Sequence, residues 1–436
     1  MAEPSTNPYE APAAEAPAAK IDPAPGPAPS MMAALLPIFI IVLIDVLGLT
    51  LIIPILPTYA QRFGADDQTV GLLLTVFAIC QFFASPVLGR LSDSFGRKPV
   101  LIVSQIGMLA SYLVLGAAQH LWVIFLGRII AGATAGNISI AQAYISDVTR
   151  PEQRTRAYGL IGIAFGLGFI LGPPISGFLM DWRQSAPFYA AAILSALSAT
   201  VTAILLPHRE PKKQEGAPKK SRIGEIVELF ARREPRRRLV EFFVFQMAFS
   251  MLMGGGFVLF LQHQFPEYFG VHLAAGGKHI GFMFLYTGII GSIVQGGFVG
   301  RLARKFGEEK LALIGFVCGT IGHVAMGLTR GALWQLLLMM VVGQFGFGVV
   351  RPALTTLLTK AVRSDEQGKV LGVSTSLTSI TQIICPTIAT ALTGHDLLVA
   401  YGVTVGAFAA LGAFLVMQPS DQQASPLPAE QSEEKA

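Results

Sequence analysis

GRLSDSFGRKP, from Gly89 to Pro99, reads as a short, charge-dense loop between two apolar runs, each long enough to cross a bilayer. Gly89 and Gly96 carry no Cβ and so permit a tight turn and close helix approach. Asp93 sits among Arg90, Arg97 and Lys98, which predicts a local ion-pair network. Its carboxylate would also suit a neighbouring helix N-terminus. A connector serving topology alone needs basic residues, but neither glycines at fixed offsets nor an Asp among them. The pattern also recurs. Gly300 to Lys310, GRLARKFGEEK, lies 211 positions later, again between apolar runs. Gly, Arg, Leu, Phe and Gly coincide, Arg304 replaces Asp93, and Glu308 and Glu309 replace Arg97 and Lys98. A second pair, Gly159 to Leu179 and Gly372 to Leu392, sets Pro173 on Pro386, Ile170 on Ile383 and Ile175 on Ile388. Two halves of similar plan in tandem predict a membrane protein built from an internal repeat.

Composition agrees. Of 436 residues, 52% are hydrophobic and 14% charged, against about a quarter charged in soluble proteins. Cys80, Cys318 and Cys385 lie far apart in apolar runs, so neither a disulfide framework nor a metal site is expected. The net charge of +5 lies in the connections between apolar runs and reports topology, not a nucleic-acid surface. Twelve runs have the ~20 residues a spanning helix needs, six on each side of a polar gap. The expected fold is an all-α membrane protein of twelve transmembrane helices in two pseudo-symmetric six-helix bundles. Residues 1–30 read as a disordered tail, 31–206 as the first bundle, 207–239 as a basic linker, 240–418 as the second bundle and 419–436 as a second tail. The first span is expected at 33–57, and Ile223 to Ala231 of the linker as a short amphipathic helix on the membrane surface. The glycines at 254–256 are expected to break the seventh span.

With the N-terminus inside, outside connections hold 4 basic residues, Arg62, Arg183, Lys278 and Arg330, and inside connections hold 24. The positive-inside rule therefore places both termini in the cytoplasm.

Local signals follow. The first span carries Gly48, Pro54 and Pro57 beyond Asp45, and proline in a spanning helix frees carbonyls that need other partners. The fourth span has Arg128, Gly132 and Gly136 on a small-residue face. The fifth has Gly168, Gly172, Pro173, Pro174 and Gly177, a packing notch combined with an expected kink. Packing alone accounts for most such stretches in membrane helices.

Taken together these residues resemble the major facilitator superfamily, and within it the twelve-span drug/proton antiporters near the tetracycline exporters. The stretch 89–99 resembles that family's G-x-L-x-D-x-x-G-R-K signature between spans two and three. Arg128 with Gly132 resembles its fourth-span R-x-x-x-G motif. Gly172, Pro173 and Gly177 resemble the fifth-span antiporter motif, with Ser176 where a second Gly is usual. Leu47, Gly48, Pro54 and Pro57 resemble the first-span pattern. The resemblance implies two bundles that rock about a midplane cavity, with Gly89, Asp93, Gly96, Arg97 and Lys98 as a latch on the cytoplasmic side. It also implies proton-coupled export, with a small-molecule substrate and protons as partners, no cofactor, and action as a monomer in the cell membrane.

Charges inside spans are functional candidates by default. Asp45 lies about 18 Å into its span and Arg128 about 10 Å into its own from the other side, so the two are expected in one layer. Asp45 is the expected proton-coupling carboxylate and Arg128 its counter-charge, against the plainer reading of a static pair that orients two helices. Arg351, beside Pro352, is expected to snorkel. Gln81, Asn137, Gln246, Gln295, His323, Gln344 and Gln382 are polar at membrane depth, either helix–helix glue or a substrate cavity. The Phe- and Met-rich seventh span would suit apolar drugs. No cluster of His, Cys, Asp or Glu occurs at depth, so an intramembrane enzyme is not expected. A symporter or facilitator of a small metabolite is the alternative the fold allows.

Overall fold

The computed structural model describes residues 31–149, 151–207, 222–270, 276–330, 332–363, 366–394 and 397–418. The two tails and residues 208–221 of the linker lie outside them. Among the described residues twelve helices are long and apolar enough to cross a membrane: Leu35–Ile52, Asp67–Phe95, Arg97–Gly116, Leu121–Val148, Gly159–Trp182, Ala186–Leu205, Arg233–Gln264, Gly277–Phe306, Glu308–Leu328, Leu333–Lys360, Gln367–Gly394 and Leu398–Met417. A helix satisfies its own backbone N–H and C=O groups, which lipid cannot do. They form the two pseudo-symmetric six-helix halves.

The decisive stretch differs from the expected loop. The helix of span two runs to Phe95 and that of span three starts at Arg97. Only Gly96 separates them, at φ 94° and ψ 155°, a region open essentially to glycine alone. In the second copy Gly307, at φ 78° and ψ 160°, separates Phe306 from Glu308 in the same way. The sequence repeat is thus a repeat of one backbone joint.

Other boundaries move for local reasons. Span one stops at Ile52, short of 57, and a second helix covers Leu56–Gln61. Pro54 lacks an N–H and its ring clashes with the preceding turn. The hydroxyl of Ser176 on span five donates to the Leu51 carbonyl at 2.6 Å, giving a partner to a group near that break. Span four divides into Leu121–Thr134 and Asn137–Val148. Span seven starts at Arg233, ahead of 240, so Arg236 to Arg238 belong to it. It breaks where expected, through a π turn at Leu252–Gly256 with Gly255 at φ 85°. Span eight carries a similar turn at Val294–Phe298. Span five passes through Pro173 and Pro174 as one helix.

The halves are joined at one end and parted at the other. At the Asp67 end, Thr75 donates to the Ile383 carbonyl at 3.0 Å and meets Thr387 at 2.9 Å. Gln262 donates to Thr58 at 3.0 Å, and His263 pairs with Asp67 at 2.7 Å. Spans five and eight touch backbone to backbone there. A Cβ on Gly281 would lie 2.6 Å from the Pro173 oxygen, and one on Gly177 would lie 2.8 Å from the Gly277 oxygen. Towards the 89–99 end the same strip of span five continues through Gly166, Gly162 and Gly159, and nothing lies within 4 Å of their Cβ positions. Span eight shows the same opening at Gly291, Gly296 and Gly297.

Candidate functional site

Asp45 projects from span one into the first half. Asn137 Nδ2 donates to its Oδ2 at 2.9 Å and Gln105 Nε2 at 3.4 Å, and Ser198 also hydrogen-bonds the carboxyl. Gln105 donates in addition to Ser198 Oγ at 2.8 Å. Spans one, three, four and six therefore meet at one carboxylate. Asn137 is the first residue after the break in span four, so the break aims it. A cavity of about 10 Å³, lined by Ile44, Asp45, Gly48, Met108, Tyr112, Asn137 and Ser195, adjoins the group; that is about the room one water needs. The amide oxygens Asn137 Oδ1 and Gln105 Oε1 are buried without a partner.

Arg128 is not the partner of Asp45. Its guanidinium lies 4.1 Å from the centroid of Phe77 and its Nε donates to the Leu73 carbonyl at 3.5 Å. Among the described residues no ion pair joins the two. Equal depth put them in one layer, but the rotation of each helix turns them apart. Gly132, one turn on, brings span four against span two: a Cβ there would lie 2.5 Å from the Phe77 oxygen. Arg351, beside Pro352 in span ten, is exposed. Its guanidinium stands 5.8 Å from the Phe249 ring of span seven.

The polar residues proposed for one cavity fall in several places. Asn137 belongs to the Asp45 cluster. His323 and Gln344 line a second cavity in the other half, with Met253, Phe257, Phe284 and Met340 among its walls. His323 bonds the Gly319 carbonyl at 2.7 Å and lies 4.5 Å from the ring of Phe347. Gln246 is buried 3.5 Å from Ser250, which meets Thr381 at 2.9 Å. Gln81 is half-buried, while Gln295 and Gln382 are exposed, and the structure brings none of the three to either cavity. No group of three or more His, Cys, Asp or Glu that could hold a metal occurs among the described residues.

At the 89–99 joint the expected network narrows to a chain. Arg97 Nη1 meets Asp93 Oδ1 at 2.6 Å and its Nε meets Asp147 Oδ2 at 2.8 Å. Arg97 also donates to Ser92 Oγ, which donates to the Gly89 carbonyl. Arg90 is exposed and Lys98 half-buried, and neither is part of that chain. Gly89 has open space around it. Asp147 ends span four, so spans two, three and four are tied together. The second copy is tied differently: Glu309 pairs with Arg238 and Glu308 with Lys360. The linker helix Arg222–Ala231 buries Leu229 in the second half. Glu228 pairs with Lys369 at 2.7 Å and Arg232 with Glu366 at 2.7 Å. The Arg232 hydrogen bond holds the Glu366 carboxyl below the usual carboxylate range.

In span five, a Cβ on Gly168 would lie 2.6 Å from Val46, and one on Gly172 would collide with Thr50. Both let span five approach span one, whereas Gly177 faces span eight. The notch is therefore two contacts, one within a half and one between halves, with Pro173 between them.

Two repeated six-helix halves, joined at one end, parted at the other and holding buried polar groups between apolar walls, define a multi-pass membrane transporter. The chain belongs to the major facilitator superfamily: the sequence model of the Major Facilitator Superfamily matches residues 38–386 and 265–435. The chain is 32% identical over 357 residues to the class H tetracycline resistance protein of Pasteurella multocida, covering 80% of this chain and 86% of that protein. It is 30% identical over 358 residues to multidrug resistance protein 2 of Bacillus subtilis, covering 80% and 87%. The solved structure of the human organic anion transporter MFSD10 (TETRAN) superposes with a TM-score of 0.68 at 22% identity, over 89% of this chain and 100% of that one. The activity is transport, not catalysis.

Gln105, Ser198, Tyr112, Phe77, Asp147 and the His263–Asp67 pair were not singled out from sequence. Gln105 and Ser198 carried a signal, polarity inside an apolar run. The pairing of Asp147 with Arg97 carried none.

Proposed function

We propose that the protein exports small, largely apolar compounds of the tetracycline or drug type across the cell membrane in exchange for protons, by alternating access. Similarity to tetracycline and multidrug resistance proteins supports the substrate class and the direction. The observation that carries the coupling is Asp45, a carboxylate inside an apolar span held by neutral groups. As a carboxylate it accepts from Asn137 and Gln105. As an acid it must donate, and the free amide oxygens of the same two residues can accept once an amide turns over. The segment Asn137–Val148 carries both Asn137 and Asp147, so it connects the proton site to the latch at Arg97. Proton binding that alters the set of this segment changes the balance between states, since a ligand shifts an equilibrium only through its differential interaction with the two. In this reading the 89–99 end faces the cytoplasm, and Gly89, Asp93, Gly96, Arg97 and Lys98 close it in the outward-facing state. Pro173 and Gly177 form the bearing on which the halves rock, and Gly168 and Gly172 hold span five against span one behind it. The first half covers 31–206 and the protein works as a monomer.

The test is substrate-dependent proton flux in proteoliposomes. Asp45→Asn is expected to abolish gradient-driven tetracycline accumulation while downhill exchange survives. Proton flux that persists in this variant moves the coupling elsewhere, with Glu241 the next candidate.

A further inference from the structure

The transport reading leaves Arg351 unused. It lies in span ten, about 14 Å from Lys360 at 1.5 Å per residue. At 100° per residue it shares a face with Met340, Gln344 and Phe347, of which Met340 and Gln344 line the cavity of the second half. The exposed apolar stripe of the same helix, Trp334, Leu338 and Val341, points elsewhere. No carboxylate lies within ion-pair distance of Arg351 among the described residues, and its side chain is exposed although it stands over Phe249. Among the described residues, Asp45 and Arg128 also lie deep in spans without an opposite charge, and both are differently placed. Asp45 is enclosed by amides, and Arg128 is 7% exposed and covered by Phe77. Two guanidinium groups thus stand against one carboxylate, and Arg351 is the one open to an entering molecule, near the end where the halves part. A guanidinium stays charged, presents a planar fork of donors that fits a carboxylate, and stacks on aromatic faces.

We propose that Arg351 is a specificity-determining residue that binds a carboxylate on the transported compound, with the compound's ring system laid against Phe249. This rests on the export reading and narrows its substrates to apolar molecules that carry one acidic group. An uncompensated cation on the inner wall repels a cationic drug and leaves an uncharged one without its strongest contact.

The test compares two dyes with one ring system: rhodamine 110, which has a free carboxylate, and rhodamine 123, its methyl ester. Binding to the purified full chain in lipid nanodiscs is read by fluorescence anisotropy, and efflux in a drug-hypersensitive bacterium. The acid is expected to bind at least tenfold tighter than the ester. Arg351→Gln, checked by size-exclusion chromatography, should bring the ratio of affinities to about one, and Arg351→Lys should restore part of it. Equal binding of acid and ester by the unaltered chain overturns the proposal without any variant, as does a preference that survives in Arg351→Gln. If neither dye binds while tetracycline is exported, the carboxylate site falls and the export reading stands. If tetracycline is not exported either, both fall.

Discussion

Asn137 holds the Asp45 carboxylate at 2.9 Å and stands where span four resumes after its break. A hydrogen bond to a charged group contributes about 1.5–3 kcal/mol. Asn137→Leu is therefore expected to lower the stability of the purified protein by about that amount. In the double variant with Asp45→Asn the loss should be less than the sum, by a similar margin, because the second change removes the charge that the first left unpartnered. Thermal unfolding of the four proteins checks this, and simple additivity would mean that the contact contributes nothing. Asp45 was legible in the sequence because a carboxylate in an apolar run stands out in one dimension. Its partners were not. Gln105, Asn137 and Ser198 come from three other helices, and which residues meet depends on how each helix is rotated, which depth along a span does not give. The same gap paired Asp45 with Arg128 from sequence, where the structure sets Phe77 against the guanidinium.

Spans five and eight meet through glycine, and a methyl group measures that contact. At Gly281 an added Cβ meets the Pro173 oxygen at 2.6 Å, a backbone atom that a rotamer change cannot move aside. Overpacking of this kind costs about 1–3 kcal/mol, but here it acts only while the halves are joined at the Asp67 end. Gly281→Ala should therefore shift the population towards the state open at that end. Spin labels placed across that end should report longer distances. Gly162→Ala, with nothing within 4 Å, should leave the distances unmoved, and a shift of equal size there would remove the glycine contact from the account. A second expectation concerns the joint between spans two and three. Asp93→Asn keeps the side chain's shape and removes the charge facing Arg97, whose other partner is Asp147. Both carboxylates are nearly half exposed, and exposed ion pairs contribute about 0–1 kcal/mol. The variant should fold and insert as the parent does but transport little, and normal uptake by vesicles would reduce the stretch to a topology signal. The existence and type of nearly every element could be read from hydrophobic run length. Their ends could not: the 89–99 stretch looked like a loop because charge marks a membrane boundary, and charge is equally at home on the last turns of a helix leaving the bilayer.

Taken whole, the molecule stands with its halves joined at the Asp67 end and parted at the 89–99 end. Under the proposed orientation this is the inward-facing state. Single cysteines at Asp67 and Ser185 should label from outside intact cells, and one at Gly224 of the linker helix should not. The opposite pattern would turn the molecule over in the membrane and reverse the proposed direction of transport. The tandem repeat and the count of basic residues carried this architecture into the sequence, but which end is joined is a property of packed surfaces and left no mark in one dimension. The two ends are also held by different forces. The joined end relies mainly on glycine packed against backbone, with uncharged hydrogen bonds among Thr58, Thr75, Gln262 and Thr387 and the one His263–Asp67 pair. The other end ties its helices with partly exposed charges, whose attraction dissolved ions screen over roughly 10 Å at 0.1 M. The proposed orientation turns the screened contacts towards the cytosol, where the cell regulates ionic strength. It turns the packed seam towards a medium that the cell does not control, and the glycine contacts that make up most of that seam hold alike in fresh water and in brine.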